Sequence, residues 1–178
     1  TAEKHPDRPA VKLDDHVLSY TDLQDAARRV AALLKDKGVG PGDRVGLVLP
    51  NVPHFPVLFY GAVAVGAVVV PMNPLLKGRE VKYYLEDSGA KLIFAWEDMA
   101  TEAAAAAQTV GLHCITVGLH PFTELLAASE PAERMVARAD ADPALLPYPS
   151  GTPGPPPGAP PPPPNPRRPP PRTPPSPP

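Results

Sequence analysis

Nineteen of the chain's 30 prolines fall in its last 32 residues, and this uneven placement limits where a fold can form. Proline lacks a backbone N–H and fixes φ, so neither a helix interior nor a central strand can be built from residues 147–178. That tail is expected to be disordered or to adopt polyproline II. Residues 1–146 hold the other 11 prolines, scattered between apolar runs. The chain therefore divides near Leu146 into a foldable part and a tail.

The foldable part reads as alternating β and α segments. Ala10–Leu13 and Val17–Tyr20 flank Asp14-Asp15-His16 as a short hairpin. A helix is expected from Thr21, with Thr21-Asp22-Leu23-Gln24 as its capping box, and Leu23, Ala27, Val30 and Leu34 form its apolar face. Gly38 closes it, and Gly40-Pro41-Gly42-Asp43 makes a turn. Val45–Leu49 is a continuous apolar run, as a strand covered on both faces requires.

Asn51-Val52-Pro53 opens a second helix, whose Gly61, Ala62, Ala64 and Gly66 permit close packing on a sheet. Strand Ala67–Val70 is expected to stop at Pro71 and Pro74. Helix 78–87, strand 92–95, helix 99–109, strand 114–117 and helix 122–128 follow, and 129–143 reads as a surface connection. Strands alternating with helices of this length predict an α/β fold with a mostly parallel sheet flanked by helices.

Charge is nearly balanced, 17 Lys+Arg against 19 Asp+Glu, which gives no electrostatic footprint for nucleic acid. Cys114 is the single cysteine, so no internal disulfide can form; in its apolar run it reads as a small buried hydrophobe. The longest apolar stretch, Val57–Val70, is shorter than the roughly twenty residues of a spanning helix. The first residues carry charges and prolines in place of a leader's apolar core, and Thr1 in place of Met fits a processed start or a segment of a longer protein. A cytoplasmic location is expected, with peripheral attachment to a membrane left open.

Several pieces, taken in order, resemble the adenylate-forming acyl-CoA synthetases. They are His5-Pro6-Asp7-Arg8-Pro9-Ala10-Val11, Leu18-Ser19-Tyr20-Thr21-Asp22-Leu23, Gly40-Pro41-Gly42-Asp43-Arg44-Val45 and Leu49-Pro50-Asn51. Phe59-Tyr60-Gly61-Ala62, Gly66-Ala67-Val68, Val70-Pro71-Met72-Asn73-Pro74 and Asp87-Ser88-Gly89-Ala90-Lys91-Leu92-Ile93 continue the series. Each piece alone is an ordinary turn, strand or helix; the shared order carries the resemblance.

The family's phosphate loop reads roughly Tyr-Thr-Ser-Gly-Thr-Thr-Gly-x-Pro-Lys-Gly. Here Tyr148, Ser150, Gly151, Thr152, Gly154, Pro156 and Gly158 agree with it without a gap. Pro149 and Pro153 replace threonine, and Pro157 replaces lysine. Glycines let backbone N–H groups approach phosphate oxygens, hydroxyls add donors, and the lysine adds charge. By resemblance, Ser150, Gly151, Thr152, Gly154 and Gly158 are remnants of a nucleotide site. Ala159 and Asn165 also keep the family's register between prolines. Proline codons lie one base from those of Thr, Ala, Leu, His and Gln, and two from lysine. The tail is therefore expected to be phosphate-loop sequence overwritten with proline by miscalled bases in a GC-rich gene.

The resemblance implies an enzyme using ATP, Mg2+ and coenzyme A on a small-molecule carboxylic acid. The carboxylate attacks the α-phosphate, pyrophosphate leaves, and the thiol of coenzyme A then displaces AMP to form a thioester. The family's catalytic lysine and adenine- and ribose-binding motifs do not occur in this chain, so no catalytic residue is carried over and the chain itself is expected to be inactive. Fatty and aryl acids both stay open as substrates.

His5, His16, His54, His113 and His120 show no metal-ligand spacing and read as surface or satisfied core residues. Trp96-Glu97-Asp98 reads as a helix cap, Asp14-Asp15 as a solvated turn, and Gly61 to Gly66 as helix rather than a dinucleotide fingerprint. The alternative reading keeps the tail as functional: Arg168, Pro171 and Pro174 fit a proline-rich ligand for an SH3-type groove. Val45–Leu49 and Ala67–Val70 are expected to lie beside uncovered apolar surface, which would make the isolated chain sticky or partly molten.

Overall fold

In the computed structural model, residues 2–118, 121–133, 135–139 and 141–148 are described. The chain opens with an antiparallel hairpin, β1 (Pro9–Leu13) and β2 (His16–Ser19). Helix α1 (Tyr20–Asp36) follows directly. Its cap differs from the expected Thr21 box: Ser19 is the N-cap, and its Oγ accepts from the Asp22 N–H at 3.1 Å. The Asp22 carboxylate accepts from the Ser19 N–H at 3.0 Å, completing the box. Thr21 has another use, since its hydroxyl donates to the Pro6 carbonyl at 3.2 Å. Those bonds from Ser19 hold the Asp22 carboxyl below the usual carboxylate range.

Four parallel strands form the main sheet. Strand β3 (Arg44–Val48) leads through α2 (His54–Ala64) to β4 (Val68–Met72). From β4, α3 (Gly78–Ser88) leads to β5 (Ala90–Trp96). A 3-10 turn at Glu97–Met99 and α4 (Ala100–Thr109) lead to β6 (His113–Val117), and α5 (Pro121–Ala127) comes last. The spatial order is β4-β3-β5-β6.

Alternation along the strands gives the sheet two buried faces. Val45, Leu47, Leu92 and Phe94 pack with Val30, Leu34, Leu58 and Phe122 from α1, α2 and α5. Val48, Val70, Ile93 and Ala95 pack with Val81, Leu85, Ala103 and Ala107 from α3 and α4. Val45, Leu47, Val69 and Val70 are fully buried, while Leu145 and Leu146, beside the outer edge of β4, stay exposed.

Pro71 does not stop β4; it pairs with Leu47 inside the strand. Val69, of the same parity, points its N–H and carbonyl away from β3, to Ala144 and Leu146. Pro71 therefore turns its missing N–H to the outer edge, where no bond to β3 is lost. That outer edge is taken by a parallel bridge between Val69 and Leu145.

Among the small residues expected to pack on the sheet, Gly61 serves another contact. A Cβ on Gly61 would run into the Val30 side chain, so this glycine lets α2 close on α1, not on the sheet. The 129–139 stretch is strapped to the same pair of helices. Arg28 Nε donates to the Ala132 carbonyl at 2.7 Å, and the Val136 N–H donates to the Ala64 carbonyl at 2.8 Å.

Candidate nucleotide-loop anchor

β3 and β5 are neighbours whose outgoing connections leave in opposite directions, so the crevice beyond their carboxyl ends is a topological switch point. An aromatic cluster occupies it. The His54 ring at the start of α2 lies 5.3 Å from Trp96 and 5.4 Å from Phe122. His54 is partly buried, and its Nδ1 has no hydrogen-bond partner among the described residues. The expectation of a satisfied or surface histidine fails at this position. Burial holds its pKa below the ordinary histidine value, and the Glu97 carboxylate only partly offsets that.

At the end of the described chain lies a second constellation. The Val69 N–H donates to the Ala144 carbonyl at 2.9 Å, and the Leu146 N–H donates to the Val69 carbonyl at 2.8 Å. Two residues on, the Tyr148 ring packs 4.5 Å from Tyr84 of α3, and its hydroxyl donates to Asp87 Oδ2 at 2.6 Å. Burial, then the Asp87 carboxylate, pushes the Tyr148 ionisation far above the usual phenol range. Tyr148 is thus a fixed part of the α/β body, although it also opens the loop pattern. The Tyr148–Asp87 contact was beyond reach of the sequence, where the two residues are simply far apart.

Ser150, Gly151, Thr152, Gly154 and Gly158 lie outside the described residues, as does His120. The donor set as written does not suit a triphosphate, because Pro155, Pro156 and Pro157 supply no N–H and no lysine follows the glycines. Among the described residues no group of three or more His, Cys, Asp or Glu could hold a metal ion, and no helix is long and apolar enough to cross a membrane. Cys114 is half-buried, and desolvation pushes its thiol up to about 11, so it is an unreactive packing residue.

The family profile described as AMP-binding enzyme matches residues 1–160. The chain belongs to the AMP-binding enzyme family. Among AMP-binding relatives, it is 35% identical over 142 residues to the long-chain-fatty-acid–CoA ligase FadD13 of Mycobacterium tuberculosis, covering 78% of this chain and 28% of that protein. It is 36% identical over 146 residues to the 4-hydroxybenzoate–CoA/benzoate–CoA ligase of Rhodopseudomonas palustris, covering 78% of this chain and 27% of that one. The benzoate CoA ligase of Burkholderia xenovorans superposes with a TM-score of 0.75 at 30% identity, over 81% of this chain and 30% of that structure. The N-terminal domain of FACL13 from Mycobacterium tuberculosis gives 0.73 at 29%, over 82% and 38%. The chain thus spans little more than a quarter of these curated AMP-binding relatives, and its fold is that of the N-terminal part of their structures.

Proposed function

We propose that the protein is an ATP-dependent acyl-CoA ligase, of which these residues form the N-terminal part. It would join a carboxylic acid to coenzyme A through an acyl-adenylate, with release of pyrophosphate and AMP. The observation that carries this reading is the AMP-binding match running on through Tyr148 and into the loop to residue 160. ATP and coenzyme A are the cofactors of the reading, and Mg2+ would accompany the triphosphate. A fatty or aryl acid is the substrate class, as the names of the relatives suggest. The domain reading has two parts, 1–146 as ligase body and 147–178 as proline-rich tail, although Tyr148 of the latter packs on α3. The location is cytoplasmic.

The 178-residue chain by itself would not turn over, because its loop lacks the lysine and the N–H donors that neutralise and place a triphosphate. The test is to resequence the locus through and beyond Pro178, and to assay the encoded protein with ATP, Mg2+, coenzyme A and a panel of fatty and aryl acids. ATP-dependent thioester formation is expected. A full-length protein that releases no pyrophosphate with any acid would sink the reading.

A further inference from the structure

Between α1, α2 and the 129–139 strap lies a cleft of about 490 Å3, a size usual for small-molecule sites. Leu23 and Ala27 of α1, Val63 of α2, and Met135 and Val136 of the strap give it an apolar wall. Tyr60 and Met135 stand at its rim, 52% and 62% exposed, so apolar surface here faces water. Val63 lies nine residues beyond His54 on the same helix, which separates the cleft from the switch-point crevice by roughly 14 Å.

The charges of the cleft are of one sign. Arg28 and Arg138 line it, and among the described residues no aspartate or glutamate does. Arg138 is paired with Asp142 at 3.1 Å. Arg28 makes no ion pair among the described residues. Its Nε and Nη2 donate to the carbonyls of Ala132 and Glu133, at 2.7 and 3.1 Å, and Nη1 keeps two N–H groups without a partner there. The whole chain carries a net charge of -2, so this positive excess is local. A guanidinium with spare donors beside apolar surface favours a ligand that brings an anionic head and an apolar body together. A cationic or neutral chain would gain the apolar contact alone.

We propose that this cleft binds one molecule of a single-chain anionic amphiphile, a carboxylate on an alkyl body, with Arg28 taking the head and Leu23, Val63 and Met135 covering the chain. The site is built wholly from the helix pair and the strap. It needs neither the loop after Tyr148 nor the ligase reading.

The probe is sodium decanoate, held below its micellar concentration and titrated into the 178-residue chain labelled with carbon-13 at its methionine methyls. The chain has 3 methionines, Met72, Met99 and Met135, and only the Met135 signal should move and saturate. Decyltrimethylammonium at the same concentration should leave it in place. Arg28→Gln keeps an N–H donor for the strap carbonyls but removes the charge, and should weaken decanoate binding about tenfold or more, the scale of a hydrogen bond from a charged donor. Met135→Glu and Met135→Lys lose the same thioether at an exposed position, and differ in the sign of the charge they bring to the cleft. By calorimetry the Glu variant should bind decanoate roughly tenfold more weakly than the Lys variant. That pair decides the matter even where Arg28→Gln loosens the strap.

Equal affinity of the two Met135 variants overturns the proposal, as does equal binding of the cationic amphiphile. Movement of the Met72 or Met99 signal in step with that of Met135 also overturns it, since the ligand is then not confined to the cleft. A Met135 signal moved by phosphatidylglycerol vesicles but not by decanoate would make the cleft a contact with lipid surfaces and remove the single-molecule site. In the protein encoded by the full locus, the Met135 pair should keep its order. Loss of that order there would show that a later segment fills the cleft, and would equally remove the proposal.

Discussion

Arg44, the first residue of β3, donates from Nε to the Ser88 carbonyl at 2.7 Å, and from a second nitrogen to the Gly89 carbonyl at 2.7 Å. These carbonyls end α3, where the helix dipole is negative and backbone acceptors lack helical partners. A planar guanidinium presents its donors in a fixed fork that fits both, whereas an ammonium is a compact charge on a flexible stem. Arg44→Ala should cost about 2 kcal/mol in chemical denaturation, the scale of hydrogen bonds from a charged donor. Arg44→Lys should recover less than half of that; full recovery would show that charge alone suffices.

Gly61→Ala should destabilise by about 1–3 kcal/mol, because the added methyl meets the β-branched Val30 side chain, which has little room to turn. Combining it with Val30→Ala should cost less than the sum of the single changes. An additive double-mutant cycle would place the clash elsewhere.

His54 makes stability depend on pH. Its folded pKa is depressed below the unfolded value near 6.5, so its stabilising effect is complete above that value. As pH falls through 6.5, the unfolded chain takes a proton that the folded chain refuses, and stability is lost until the folded pKa is passed. Thermal melts between pH 7.5 and 5 should show this loss, and His54→Phe should flatten it. Glu97→Gln removes the carboxylate that partly opposes the shift, and should steepen the loss.

Arg28→Ala should release the connection after α5. It removes the bonds to the carbonyls of Ala132 (2.7 Å) and Glu133 (3.1 Å), while the bond from the Ala132 N–H to the Arg28 backbone remains. Limited proteolysis should then cut within 129–139 several-fold faster, with the melting temperature changed little. Unchanged cleavage would show that the backbone bonds hold the strap by themselves.

Most of the fold was legible because the local signals agreed with one another. Val45–Leu49 is apolar without a break, and it became a strand covered on both faces. The helix over Leu23, Val30 and Leu34 followed from spacing, and those residues line the core. The misses were of two kinds. Thr21 and Ser19 both offer a capping hydroxyl, and Ser19 prevailed because Asp22 can close the box from that position. Pro71 and Gly61 depend on which neighbour each residue faces, and no short window contains that information.

The site was legible as chemistry but not as geometry. Tyr148 and the glycines after it stand out as a pattern, whereas the partner Asp87 sits in a stretch that reads as the end of an ordinary helix. His54 gave no signal beyond being a histidine, because its burial comes from Trp96 and Phe122, which only the fold brings beside it.

The bridge from Val69 to Leu145 has a consequence for synthesis. β4 is made early, but the residues that cover its outer edge leave the ribosome on the order of 4–15 s later at usual elongation rates. Through that interval the nascent chain leaves the N–H and carbonyl of Val69 unpaired on the outer edge of a valine-rich strand. Pro71, which offers no N–H there, interrupts the edge on the side where a neighbouring nascent chain would otherwise add a strand.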